Sequence, residues 1–113
     1  MKKKIVLGLL FTLLVGCSSS TGPDSVSNAD TFARCLTERG VRMYGVEWCN
    51  HCQNQKALFG ESFRFIDYVD CDRQGQQCDD AGVTAYPTWH VNGTNYQGVK
   101  SLDTLAGLSG CEI

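Results

Sequence analysis

Apolar residues change their spacing several times along this chain, and each change marks an element. Phe32, Ala33 and Leu36, with Val41 beyond, follow a helical period and predict a short amphipathic helix over 30–39 that Gly40 stops. Residues 41–46 are short, β-branched and aromatic, and predict a strand. Residues 49–59 contain neither Pro nor Gly and carry the helix formers Gln53, Gln55, Lys56, Ala57 and Leu58, so a helix is expected there, ended by Gly60. A second strand is expected over 63–69, then a polar loop with one helical turn over 70–82. Strands over 88–91 and 95–98 flank Asn92-Gly93, a hairpin dipeptide. Ser101 then offers a cap for a last helix with Leu102, Leu105 and Leu108 at helical spacing, closed by Gly110. A helix joins the first two strands, which predicts a parallel pair with a right-handed crossover. The hairpin extends the same sheet antiparallel. The expectation is one α/β domain over 29–113, a mixed four-stranded sheet flanked by helices.

The first residues read differently. Lys2, Lys3 and Lys4 precede a mostly apolar run over 5–15. That run is too short to cross a bilayer, which takes roughly 20 residues. Residues 1–16 are therefore expected to be a signal peptide. It ends in Leu14-Val15-Gly16-Cys17, which resembles the lipobox of bacterial lipoproteins. The resemblance implies that Cys17 is lipidated and becomes the new N-terminus; an ordinary signal peptide, or an uncleaved anchor, is the alternative. Ser18 suits an outer-membrane destination in a two-membraned cell. Residues 17–28 are rich in Ser, Thr, Gly and Pro, and a flexible tether of that length has an r.m.s. span of roughly 18 Å.

Charge narrows the picture a little. Without Lys2, Lys3 and Lys4, the ten basic residues fall to seven against twelve acidic ones, a balance near −5. A basic footprint for nucleic acid is absent. Seven cysteines in so short an exported chain say more, because disulfides persist in oxidising compartments and support domains with small cores. With Cys17 set aside for lipid, six remain, and six allow fifteen connectivities.

Two of the six stand in Trp48-Cys49-Asn50-His51-Cys52, directly after the first expected strand. This spacing lets one sulfur sit exposed at a helix N-terminus with the other one turn behind it. The thiolate is the attacking species, and a helix N-terminus stabilises it. Dithiol–disulfide exchange is the leading reading. A permanently closed staple, or half of a metal site, is the alternative.

The element order, the Trp-Cys-x-x-Cys motif after the first strand and Tyr86-Pro87-Thr88 before the hairpin resemble the thioredoxin-like superfamily over essentially all of 29–113. More narrowly, residues 43–56 and Tyr86-Pro87-Thr88-Trp89 look like the thioredoxin-like domain fused to bacterial and plant homologues of vitamin K epoxide reductase, expected here as a stand-alone lipoprotein. In that family the domain exchanges disulfides with substrates and is reoxidised by its membrane partner. The resemblance implies a three-layer fold, Cys49 as the attacking thiol, Cys52 as the resolving thiol and a cis bond before Pro87. That bond would press Tyr86 and Pro87 against the sulfurs, with the Tyr86 backbone free to pair with an extended substrate.

The flanking residues follow. His51 lies between the sulfurs, where its ring can donate to the Cys49 thiolate and tune the potential towards the oxidising end. Asn50 occupies the position where that end often has proline. Trp48 is expected to cover the disulfide, and Trp89 and Tyr44 to serve packing. Thioredoxins carry a buried acid six residues before the first cysteine, where this chain has Met43; Glu47 is the nearest substitute, acting through a water. Cys71 and Cys78 are expected to form a structural disulfide, with a second redox pair as the alternative. Cys35 and Cys111, placed in the first and last helices, are expected to tie the termini together, with free buried thiols as the alternative.

The function expected is a thiol-disulfide oxidoreductase of the bacterial cell envelope, lipid-anchored and facing the periplasm or exterior. It would act on exported proteins, with a membrane redox partner left open, and would need no organic cofactor and no metal. Two other classes stay in view. One is a copper- or zinc-binding module using Cys49, His51, Cys52 and the Cys71/Cys78 loop, although zinc needs four ligands in a tetrahedron and Pro87 stands in the way. The other is a structural lipoprotein with every cysteine locked.

Overall fold

One of the two interior strands of the sheet is β1 (Arg42–Gly45), and the rest of the domain is arranged around its two faces. The computed structural model describes residues 27–113, with residue 8 alone before them. The expected signal peptide, Cys17 and all but the last two residues of the expected tether lie outside the described residues. Along the chain come α1 (Asn28–Glu38), β1, α2 (Asn50–Phe59), a 3-10 helix (Gly60–Phe65), β2 (Asp67–Asp70), α3 (Gly75–Asp80), β3 (Thr88–Val91), β4 (Thr94–Gln97) and α4 (Leu102–Ser109). The strand order is β2-β1-β3-β4. β1 and β2 run parallel in the register Arg42↔Asp67 to Gly45↔Asp70, whereas β3 pairs antiparallel with both β1 and β4.

Alternation along β1 sends successive side chains to opposite faces. Met43, level with Trp89 on β3, joins a core with Phe32 and Leu36 of α1, Cys52 and Phe59 of α2 and Leu105 of α4. Tyr44, level with Val69 on β2, joins a smaller core with Val46, Cys71 and Cys78. Helices therefore cover both faces of a mixed four-stranded sheet. This is the α/β thioredoxin-like arrangement. Trp89 is fully enclosed, and burying a side chain of this kind contributes roughly 1.5–3 kcal/mol. Its indole N–H donates to Gln55 Oε1 at 2.9 Å, and the same oxygen accepts from the Lys100 amide at 2.7 Å. A buried amide thus fastens α2 to β3 and to the segment leading into α4.

Some boundaries differ from expectation for local reasons. α1 starts at Asn28, because Ser27 Oγ accepts from the Asp30 amide and caps it. Ser27 and Asn28 thus belong to the folded domain rather than to the tether. The strand expected over 63–69 begins only at Asp67. Phe63 turns edge-on to both Phe59 (6.0 Å between centroids) and Tyr68 (5.6 Å), and the Ile66 amide donates to the Phe63 carbonyl at 2.9 Å. Local three-residue closures hold this stretch against the core before the sheet takes over. Cys111 lies beyond α4 rather than in it. Gly110 adopts φ 75° as the left-handed cap, and the Cys111 amide donates to Ser109 Oγ at 3.1 Å.

Candidate functional site

The turn 46–49 carries the chain out of β1 and into α2. The Cys49 amide donates to the Val46 carbonyl at 3.4 Å, which closes the turn. Cys49 is then the cap of α2, with extended backbone at φ −88° and ψ 117°. Its sulfur accepts from the Cys52 amide at 3.3 Å, so one of the orphan donors of the first helical turn points at it. Negative charge arising on that sulfur meets the positive end of the helix. Cys49 is half-buried and Cys52 is buried, and neither is disulfide-bonded. Burial first, then the neighbouring Cys49, pushes the Cys52 thiol up to about 11, partly offset by the Val46 backbone and the Lys56 charge.

The opposite wall comes from the segment entering β3. The Tyr86–Pro87 peptide bond is cis, and the Cys49 thiol donates to the Tyr86 carbonyl at 3.7 Å. Trp48 stands 71% exposed, edge-on to the Tyr86 ring at 6.3 Å, with its indole N–H donating to Asp72 at 2.9 Å. Its side chain thus meets Tyr86 and Asp72. Asn50 and His51 are exposed on the first turn of α2, and neither side chain makes a hydrogen bond among the described residues. Close packing beneath comes from Gly45, where a methyl group would lie 2.9 Å from the Cys52 sulfur. Glycine is the residue that admits the sulfur here.

The remaining cysteines of the domain are paired. Cys71–Cys78 has Cα atoms 5.7 Å apart, and Cys35–Cys111 6.0 Å. Among the described residues, no three His, Cys, Asp or Glu side chains converge to hold a metal ion. No described helix is long and apolar enough to cross a membrane. Met43 is fully buried in the main core. Glu47 is tied to Lys56 Nζ at 2.9 Å, and that contact holds its carboxyl below the usual range. Glu47 is thus a poor proton acceptor for Cys52. Sequence reasoning missed Tyr68 and Lys56 as members of this site. Tyr68 reads only as one residue of an expected strand, and the fold alone brings it to Cys52, whereas Lys56 lies one helical turn from Cys52, a spacing that could have found it.

Known proteins carry this arrangement further. The chain is similar to the thiol-disulfide oxidoreductase LTO1 of Arabidopsis thaliana, 34% identical over 105 residues that cover 85% of this chain and 27% of that protein. It is also similar to the protein disulfide isomerase-like 5-1 of rice, Oryza sativa subsp. japonica, 22% identical over 121 aligned positions that cover 92% of this chain and 82% of that one. The chain spans about a quarter of the length of the Arabidopsis protein. No family model matches. Both likenesses support the thioredoxin-like superfamily and a redox role.

Proposed function

We propose that this chain is a thiol-disulfide oxidoreductase whose reactive pair is Cys49 and Cys52. The observation that carries the proposal is the setting of Cys49, a half-buried sulfur capping α2, with the Cys52 amide on it and the Tyr86 carbonyl 3.7 Å away. In the forward exchange the Cys49 thiolate attacks a client disulfide, one client sulfur leaves as a thiol, and a mixed disulfide forms. Cys52 then attacks Cys49, the second client thiol leaves, and the two electrons of the dithiol rest on the client. Oxidation of a client dithiol runs the same steps backwards, and the direction follows the potential of the pair against its surroundings.

Around the pair, Trp48 and Tyr86 form the docking surface, Asn50 and His51 set the polarity of the exposed turn, and Pro87 leaves the Tyr86 backbone open to an extended client. Cys71–Cys78 and Cys35–Cys111 are assigned structural roles. The resemblance to the domain fused to vitamin K epoxide reductase homologues supports a membrane redox partner for recycling. The lipobox-like Leu14-Val15-Gly16-Cys17 supports a bacterial envelope location with exported proteins as clients. The test is the equilibrium of the Cys49/Cys52 pair with a glutathione buffer, together with insulin reduction and oxidative refolding. Exchange that is lost in Cys49→Ser supports the proposal. A pair inert to the buffer, with neither activity, overturns it.

A further inference from the structure

The hydroxyl of Tyr68 is buried and has no hydrogen-bond partner, the one such side-chain atom among the described residues. A buried polar group without a partner costs stability, and such an atom in a folded protein calls for a reason. Its surroundings supply one. A methyl group built on Gly45 would stand 2.9 Å from the Cys52 sulfur and 3.5 Å from the Tyr68 oxygen, so both atoms crowd one small space behind β1. Lys56 Nζ sits 4.2 Å from the centre of the Tyr68 ring, with its charge turned to the same region. A protonated thiol offers the phenol only a weak acceptor, whereas a thiolate offers a strong one.

We propose that Tyr68 is a donor held in reserve for the Cys52 thiolate, stabilising the resolving sulfur at the moment it becomes charged. Its role compensates for the acid that Met43 replaces, by a different route. An acid would take the proton away, whereas Tyr68 and Lys56 make the charge left behind easier to bear. The inference rests on the exchange chemistry proposed above. In the step concerned, the Cys52 proton passes to solvent and the Cys52 thiolate attacks Cys49. The Cys49–Cys52 bond forms, the bond from Cys49 to the client sulfur breaks, and the client sulfur leaves with the electron pair.

The charged and titratable groups around the phenol fit this role. Burial raises the Tyr68 phenol above its usual range, and the negative charges of Glu47 and Asp70 raise it further, so it stays a neutral donor at physiological pH. The Glu47 carboxylate raises the phenol by its charge and, more weakly, as an acceptor beyond ordinary hydrogen-bond length, so it is the competitor of Cys52 for this donor. Lys56 holds Glu47, and Arg73 lies 3.7 Å from Asp70. Glu47, Tyr68, Asp70, Arg73 and Gln74 line a cleft of about 550 Å³ on the Tyr68 side of this space.

The experiment is stopped-flow mixing of the reduced protein with an aromatic disulfide whose thiolate is coloured. A first release reports adduct formation at Cys49, and a second reports attack by Cys52. In Tyr68→Phe, loss of one hydrogen bond to a charge raises the Cys52 pKa by about one unit or more, which cuts its thiolate tenfold. The more basic thiolate recovers about threefold of that in nucleophilicity. The second release at pH 7 therefore slows by about threefold or more, while the first is unchanged. Tyr68→fluorotyrosine, a stronger donor of nearly the same shape, speeds the second release, which a purely structural role would not do. Melting temperature in Tyr68→Phe holds or rises, because an unpartnered hydroxyl is removed. Equal second-release rates in all three proteins, or equal slowing of both steps, overturn the inference and leave the exchange reading intact. A wild-type protein that forms no adduct, or never gives the second release, overturns both.

Discussion

Two cysteine pairs begin just past the carboxyl ends of neighbouring parallel strands, yet the structure treats them in opposite ways. Cys49 follows β1 and Cys71 follows β2, whose first residue past the strand donates its amide to the Gly45 carbonyl at 2.8 Å. Cys71 and Cys78 are bonded to each other and enclosed, 7% and 2% exposed. Cys49 and Cys52 are unbonded, with the first sulfur half-buried at the surface. The contrast lies in how each pair meets its helix. Cys49 caps α2 and turns its sulfur onto a free helical amide. Cys71 directly follows β2, four residues before α3, whose cap, Gln74, gives no side-chain hydrogen bond, and Cys78 lies inside that short helix. Position relative to a helix start, more than spacing between cysteines, separates a sulfur set up to react from one set up to hold.

The sharpest break of that comparison exchanges one sulfur on each side. Cys49→Ser is expected to abolish adduct formation and client exchange while the fold persists, and Cys52→Ala to leave Cys49 adducts that do not resolve. Gel shifts after alkylation would read both. The pair Cys71→Ser/Cys78→Ser should keep exchange within about twofold and lose roughly 2–3 kcal/mol of stability, as expected for a short loop. Removing Cys35–Cys111, which spans 76 residues, should cost more, about 4 kcal/mol on the same model, in a denaturant titration without reductant. Loss of exchange in the Cys71/Cys78 variant would instead make that disulfide a relay and dissolve the distinction.

Gly45 touches both pairs, which makes it the next test. Gly45→Ala places a methyl group 2.9 Å from the Cys52 sulfur, and the buried sulfur must shift. A loss of roughly 1–3 kcal/mol is expected, typical of overpacking, together with slower resolution by Cys52. Thermal melts and the second release described above would measure the two effects. Melts of the Cys71/Cys78 variant carrying Gly45→Ala should show the same increment if the strain falls on Cys52 alone.

Titration separates the pairs more gently. In the reduced protein the Cys52 thiol is raised from its ordinary 9.0 to about 11, so between these values the folded state holds a proton that the unfolded state has released. Stability from this group is complete below about pH 9 and is lost as pH rises towards 11. Urea midpoints for the reduced wild type should fall across that window, and Cys52→Ala should fall less. The bonded Cys71 and Cys78 have no thiol to titrate, so their removal should leave the slope unchanged. Tyr68 loses protons higher still and is present in both proteins, so the difference isolates Cys52.

Much of this is legible in the sequence, and the reasons are local. Helix stops at Gly40, Gly60 and Gly110, the Asn92-Gly93 turn, and the run of strand and helix formers each depend on a few neighbouring residues, and the sheet with its mixed pairing follows from their order. The Cys-x-x-Cys spacing exposed the candidate site for the same reason. What stayed hidden depends on contacts far apart in sequence. Phe63 resembles a strand residue until Phe59 and Tyr68 claim it. Gln55 reads as helix surface until Trp89 and Lys100 close over it. Tyr68 gains meaning only when the pairing of β2 with β1 brings it beside the Cys52 sulfur. The hairpin shows the scale of the lesser errors, since β4 starts at Thr94, one residue ahead of expectation.

The smallest expected effect concerns a side-chain hydrogen bond that joins the two regions directly. Trp48 precedes Cys49, Asp72 follows Cys71, and the indole N–H donates to the Asp72 carboxylate at 2.9 Å. Both side chains are exposed, so water can replace either partner, and Asp72→Ala should cost no more than about 1 kcal/mol. If the bond merely decorates the surface, small-molecule exchange at Cys49 stays within twofold and only Trp48 fluorescence changes. Should the bond hold Trp48 in place as part of the docking surface, a protein client is affected where a small disulfide is not, because only the larger partner touches the ring. Insulin reduction measured beside the coloured-disulfide assay makes that distinction. Equal behaviour of Asp72→Ala and wild type towards both substrates would leave the two pairs mechanically independent, each governed by its own helix.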